Sequence, residues 1–250
     1  MRYSARTLLA AVLLAASACL RTATLEPPPP GGHHVLFIGN SLTYVNDLPR
    51  TLADLAALAG DTIRVSSVAR PDYALIDHIT YASGAVEAVK LGGWEFVVLQ
   101  QGSSSLAVNR DSLILWTKMW DPIIRGVGAR PALYMVWPTS DRVAFFDDVR
   151  KSYQMAAEAV GGLFLPAGQS WLTAWKTDAT LAFYSVDGLH PAPLGTYLAA
   201  LVIYEQVTGH DARNLPARVI VAGQQLSVPE ATIRLLQRAA HETNAQYALK

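Results

Sequence analysis

One cysteine, Cys19, stands in a chain of 250 residues, so no internal disulfide can staple this protein. An excess of either charge is also missing, since 20 Lys and Arg face 20 Asp and Glu. There is no basic stripe to follow a phosphate backbone and no acidic run of the disordered-tail kind, so no nucleic-acid partner is expected. The sequence contains no HExxH, no cysteine pair and no run of clustered carboxylates. His33, His34, His78, His210 and His241 lack ligand spacing, so neither a metal site nor a cofactor is expected. Without GxGxxG, and without a glycine-rich loop followed by Lys, there is no nucleotide cradle either. Long apolar runs are absent as well: the longest near the start, residues 8–16, is too short to span a bilayer.

That run nevertheless has a reading. Arg2 and Arg6 precede it and Ala-Ser-Ala follows it, the layout of a secretory signal over residues 1–18. Its removal leaves 18 basic against 20 acidic residues, a formal charge of −2. The stretch "ASAC" resembles a bacterial lipoprotein box, in which Cys19 would carry the lipid. An ordinary signal peptidase could cut the same bond. The four prolines in residues 19–34 read as a stiff spacer. The expected product is exported, to the periplasm, the cell envelope or the medium; as a lipoprotein it would be attached to a membrane through a lipidated Cys19.

What is plentiful is apolar sequence, 51% of the chain, enough for one domain with a sizeable core over residues 35–250. "HVLFIG" is a continuous apolar run of a buried strand, and "WEFVVLQ", "PALYMVWP" and "LFLPAG" follow its type. "DTIRVSSVA" alternates like a strand. Between them, "LPRTLADLAALAG" places Leu48, Leu52, Leu55 and Ala59 on one helical face. "RDSLILWTKMWDPIIRGVG" turns Leu113, Trp116, Trp120, Ile123 and Ile124 inward. "APLGTYLAALVIYEQVTG" is a mostly apolar helix. A last helix is expected from "SVPEATIRLLQRAAHETNAQ", capped by Ser227 with a proline at its start. Five strands alternating with helices predict an α/β fold, a three-layer α/β/α sandwich around a mostly parallel five-stranded sheet. Such sheets present their chemistry at the carboxyl ends of the strands.

Ser41 sits there, in "GNSLT" directly after the first strand. Alone, Gly-Asn-Ser is an ordinary turn whose Asn40 or Ser41 caps a helix. Far along the chain, "SVDGLHPAPLG" places Asp187 and His190 three residues apart. That spacing lets a carboxylate hold one imidazole nitrogen while the other faces outward, the arrangement that makes a serine hydroxyl nucleophilic. Alone, this too is a helix-entry turn with a capping Asp.

Together, "GNSLT" and "DGLHP" at opposite ends of a five-stranded alternation resemble the SGNH/GDSL hydrolase family over roughly residues 35–210. The resemblance implies the flavodoxin-like SGNH fold, with Ser41 as nucleophile, His190 as base and Asp187 as its orienting acid. It also implies an oxyanion hole built from the Ser41 N–H and two further donors. Where the family has a glycine after the second strand, this chain has Pro71 and Asp72. Proline has no N–H, so either the N–H of Asp72 or of Ala69 serves, or this donor is lost. Where the family has an asparagine after the third strand, this chain has "LQQGSSS", so Gln100 or Gln101 is the expected amide donor, with Gly102 allowing close approach. Asn40, Trp137 and Trp171 are expected to line the substrate pocket. The implied activity is ester hydrolysis through an acyl-enzyme, on a small ester or an acylated glycan. The alternatives are acyl transfer by the same triad and a ligand-binding module that has lost catalysis.

Overall fold

The computed structural model describes residues 31–247. The signal, Cys19 and most of the proline spacer lie outside the described residues. No helix among those described is long and apolar enough to cross a membrane.

Five parallel strands form the central sheet: β1 (His33–Gly39), β2 (Ile63–Ala69), β3 (Phe96–Leu99), β4 (Arg130–Tyr134) and β5 (Leu163–Leu165), in the order β2-β1-β3-β4-β5. This is the sandwich expected from the alternation. Val35 pairs with Val65 on one side and Phe96 on the other. Val35, Leu36, Phe37 and Ile38 of β1 are all fully buried, as an unbroken apolar run in a sheet covered on both faces must be.

The helices are α1 (Ser41–Tyr44), α2 (Leu48–Ala59), α3 (Leu75–Thr80), α4 (Ala85–Lys90), α5 (Ala107–Arg125), α6 (Phe146–Glu158), α7 (Ala167–Trp175), α8 (Pro193–Thr208) and α9 (Glu230–Tyr247). Helices α2, α7, α8 and α9 pack on one another, and α3, α4, α5 and α6 form a second packed group. Helix α2 begins at Asp47, whose carboxylate accepts the Arg50 N–H, and ends at Gly60 in the left-handed region, a start and stop of ordinary capping chemistry. Helix α8 buries residues on all sides, which explains its lack of a polar face.

Two details differ from the sequence reading. Helix α9 starts at Glu230, so Ser227 is not its cap; Pro229 precedes the helix and its carbonyl accepts the Ile233 N–H. Ahead of it lies an unexpected antiparallel hairpin, β6 (Val219–Val221) and β7 (Gln224–Leu226). Its two turn residues, Ala222 and Gly223, both have positive φ, as a tight hairpin turn requires.

Candidate active site

The turn after β1 is built around two buried amides. Asn40 caps α1 by accepting the Leu42 N–H at 3.1 Å. Gln100, just past β3, accepts the Asn40 N–H at 2.9 Å and the Thr43 hydroxyl at 2.7 Å on its Oε1. Its Nε2 donates to Asn40 Oδ1 at 2.9 Å and to the Gln101 carbonyl at 2.6 Å. A Cβ on Gly39 would collide with both the Gln100 amide oxygen and the Thr43 hydroxyl, and this close approach is why the turn begins with glycine.

The same bonds correct one expectation. Both protons of the Gln100 amide are engaged within the turn, so it has no donor left for an oxyanion, and its role is to shape the segment that carries Ser41. Gln100→Ala would orphan the buried Asn40 N–H and the Thr43 hydroxyl at a cost of roughly 1–3 kcal/mol each. Urea unfolding should show that loss as a lower midpoint.

Ser41 is the first residue of α1. Its N–H has no intrahelical acceptor by position, and no other acceptor among the described residues. Asn40 Nδ2 donates to the Tyr73 carbonyl at 3.1 Å, which draws the turn after β2 toward the serine. In that turn the Tyr73 N–H reaches the Arg70 carbonyl at 3.3 Å, and Asp72 has φ 59°. Proline then left-handed geometry at the two central positions is the type II pattern. Arg70 gives its N–H to the Gly39 carbonyl at 3.0 Å. By strand alternation the Ala69 N–H faces away from β1, and the Asp72 N–H makes no hydrogen bond among the described residues.

Beneath the turn lies His78, on α3, which faces the core. Its Nε2 donates to the Gly39 carbonyl at 2.9 Å and its Nδ1 lies 2.9 Å from the Ser83 hydroxyl. Burial lowers its pKa, outweighing the carbonyl bond that raises it. The unfolded imidazole, near pKa 6.5, therefore binds a proton that the folded one resists. Stability should fall as pH drops below about 6.5 and stop falling through this group once the folded pKa is passed. Thermal midpoints measured from pH 7 to pH 5 should decline more steeply in the wild type than in His78→Gln, whose amide can still donate to Gly39.

Asp187 and His190 are brought together as expected. Asp187 Oδ1 accepts the backbone N–H groups of Leu189 and His190, both at 2.9 Å, and Oδ2 lies 2.6 Å from His190 Nδ1. The His190 bond, followed by the two backbone N–H groups, holds the Asp187 carboxyl at a pKa of about 2, so it is ionised at neutral pH. Gly188 between them has φ 68°, and a Cβ there would strike the Ser140 hydroxyl, which makes glycine a requirement of the Asp-Gly-Leu-His turn.

Four bonds fix that turn and the start of α8 against the ends of β1 and β4. Asn46, which follows α1, donates to the Pro191 carbonyl at 2.8 Å and to the Thr196 hydroxyl at 3.0 Å. Trp137 Nε1 donates to the Leu189 carbonyl at 2.9 Å, and the Ser140 N–H reaches the Gly188 carbonyl at 2.8 Å. Residue 46 thus ties the serine turn to the residue next to His190. Among the described residues, no hydrogen bond joins the Ser41 hydroxyl to His190 Nε2. Catalytic bonds in substrate-free sites are commonly long and tighten when substrate arrives.

Two further expectations are corrected. Trp137 and Trp171 do not line a pocket: both are 0% exposed, stacked with ring centres 3.7 Å apart. They form the apolar floor that supports the His190 turn, with the Trp171 Nε1 donating to the Gly195 carbonyl at 3.3 Å. The Gln101 amide is engaged in part, with one Nε2 proton bonded. Its Oε1 accepts the Leu75 N–H at 3.2 Å, and its Nε2 donates to Ser104 Oγ at 3.0 Å, facing a cavity next to α5. The space beside Gly102 is open. Asn40 is buried and acts as the cap, not as an exposed wall. Asn46 escaped the sequence reading; its only signal was its place directly before a capping Asp, in "VNDLP".

The sole group of three metal-ligand side chains among the described residues is far along the chain, at Glu205, Asp211 and His241. These carboxylates already have partners. His241 Nδ1 lies 2.9 Å from Glu205 Oε1, and Arg213, the largest influence, holds Asp211 at a pKa of about 2.

No family model matches this chain, and no curated protein matches it. Solved structures share its fold. A DUF4886 family protein from Bacteroides uniformis superposes with a TM-score of 0.70 over 87% of this chain and 96% of its own, at 17% identity. A protein of Slackia heliotrinireducens assigned as an SGNH hydrolase gives 0.56 over 70% of this chain and 99% of its own, at 28% identity. A variant of Axe2, an acetyl xylan esterase from Geobacillus stearothermophilus, gives 0.53 over 71% and 95%, at 16% identity.

Proposed function

Starting from the premise that this chain is an SGNH/GDSL-type hydrolase in its fold, we propose that it is a serine esterase whose triad is Ser41, His190 and Asp187. The observation that carries this reading is the ionised Asp187 bound to His190 Nδ1, in a turn that Asn46 ties to the Ser41 segment. Asp187 fixes the tautomer with the proton on Nδ1, which leaves Nε2 as the base. Ser41 Oγ attacks the ester carbonyl carbon and its proton passes to His190 Nε2. The carbonyl oxygen becomes an oxyanion, held by the Ser41 N–H and the Asp72 N–H. His190 then returns the proton to the leaving alcohol as the C–O bond breaks. Water, deprotonated by the same imidazole, attacks the acyl-enzyme and releases the acid and Ser41.

Export, lipid attachment through Cys19 and an acylated glycan as substrate are part of this proposal, supported by the N-terminal sequence. The test is product analysis on acetyl esters, with and without a glycan acceptor. Free acetate in both reactions is the expected result. Acetyl appearing on the acceptor in place of free acetate would assign transfer instead, and no turnover in either reaction would reduce the chain to a binding module.

A further inference from the structure

A cavity of about 190 Å³ adjoins the turns after β2 and β3, lined by Ala74, Gln101, Ser104, Asn109, Ser112 and Trp116. Two of its walls grow directly from the serine scaffold. Ala74 follows Tyr73, whose carbonyl holds Asn40, and Gln101 follows Gln100, which grips Asn40 from the other side. The volume lies below the range of about 300–1,000 Å³ usual for drug-sized ligands, so the cavity suits one small ring.

The lining names the chemistry of that ring. No charged side chain faces the space, which disfavours a phosphate or carboxylate. Four of the six residues are neutral amides or hydroxyls, which disfavours an acyl chain. Gln101 is 4% exposed, and its Nε2 makes one bond, to Ser104 Oγ; the second proton has no acceptor among the described residues. Trp116 is the odd one among the chain's six tryptophans. Trp94, Trp120, Trp137, Trp171 and Trp175 each donate Nε1 to a backbone carbonyl. Trp116 is half-buried, and its Nε1 has no acceptor among the described residues. An aromatic face with an unpaired N–H, a buried amide with an unpaired proton and surrounding hydroxyls are complementary to a ring that is apolar on its face and hydroxylated at its edge.

The cavity is also held in shape before any ligand arrives. Ser104 sits at φ 55°, a strained position for a serine. The Ser152 hydroxyl donates to the Ser104 carbonyl at 2.6 Å, and the Tyr153 hydroxyl donates to the Gln101 carbonyl at 2.6 Å. Both come from α6, so a rigid helix keeps the loop in place.

We infer that this cavity binds a neutral pyranose, the alcohol part of the ester, stacked on Trp116 and hydrogen-bonded to Gln101. The inference rests on the esterase reading for its role in turnover, but binding can be read separately. In the full chain labelled with ¹⁵N, the indole N–H signals are followed while methyl β-D-glucopyranoside is added to about 100 mM, well above a millimolar Kd. The expected result is a saturable shift of the one signal that is missing from Trp116→Phe. No shift of that signal, or equal small shifts of all indoles, overturns the inference. In turnover, the ratio of kcat/KM on an acetylated methyl pyranoside to that on 4-nitrophenyl acetate should fall about tenfold in Trp116→Phe, the size of one lost hydrogen bond. An unchanged ratio overturns it as well. Should the indole shift while neither ester is cleaved, the esterase reading fails and the sugar site stands; cleavage of the aryl ester with no shift has the opposite meaning.

Discussion

Ser41→Ala should lower kcat on 4-nitrophenyl acetate by about 10⁴-fold or more, to the rate that oxyanion donors and binding alone sustain. The change removes one hydroxyl from a half-buried position at the start of a helix. The Ser41 hydroxyl is not among the bonds that hold the turn, which are made by Asn40, Thr43 and Gln100. Thermal stability should therefore stay within about 0.5 kcal/mol of the parent, and the loss of rate can be assigned to chemistry. Stopped-assay kinetics together with a thermal melt check both halves. A Ser41→Ala protein that hydrolyses at the parental rate would remove the nucleophile from this account.

Asp187→Asn should cost about as much by a different route. Asparagine retains the Oδ1 that accepts the Leu189 and His190 N–H groups, so the turn keeps its backbone bonds. The atom facing His190 Nδ1 becomes an amide nitrogen, a donor where an acceptor stood. The imidazole must then place its proton on Nε2 and can no longer take one from Ser41. A drop of about 10⁴-fold in kcat is the expected size for a triad with the wrong tautomer. The pH profile adds a second check. Asp187 in the wild type stays ionised until about pH 2, because its folded pKa is depressed, so any stabilisation it gives is present above the unfolded value and lost only as pH falls toward 2. The kcat/KM profile should therefore show no step from Asp187 on mild acidification. A carboxylate step there, or a mild effect of Asp187→Asn, would contradict the assigned roles.

Much of this was readable from residues alone. Unbroken apolar runs separated by helical periodicity could only become a parallel sheet, and the positions of Ser41, Asp187 and His190 relative to strand ends followed from that. The hairpin at Val219–Leu226 was legible in principle, because Ala-Gly between two short β-rich segments is a turn signal, but three-residue strands give too few alternations to register. The amides were not legible. Gln100 and Gln101 look alike in sequence, and only coordinates show that one is fully engaged at the serine turn while the other faces a cavity. The tryptophans misled for a related reason. An aromatic residue near a strand end fits a pocket wall or a core equally well, and the stack of Trp137 on Trp171 decides for the core. Asn46 and His78 act through contacts with Pro191 and Gly39, far away in the chain, which no local pattern announces.

The most direct measurement is labelling of the native protein with a fluorophosphonate probe, followed by peptide mapping. The account predicts a single adduct on Ser41 that disappears in Ser41→Ala and is strongly slowed in His190→Ala. No adduct on the folded protein, or one that survives the loss of His190 at full rate, would show that the imidazole does not activate this hydroxyl.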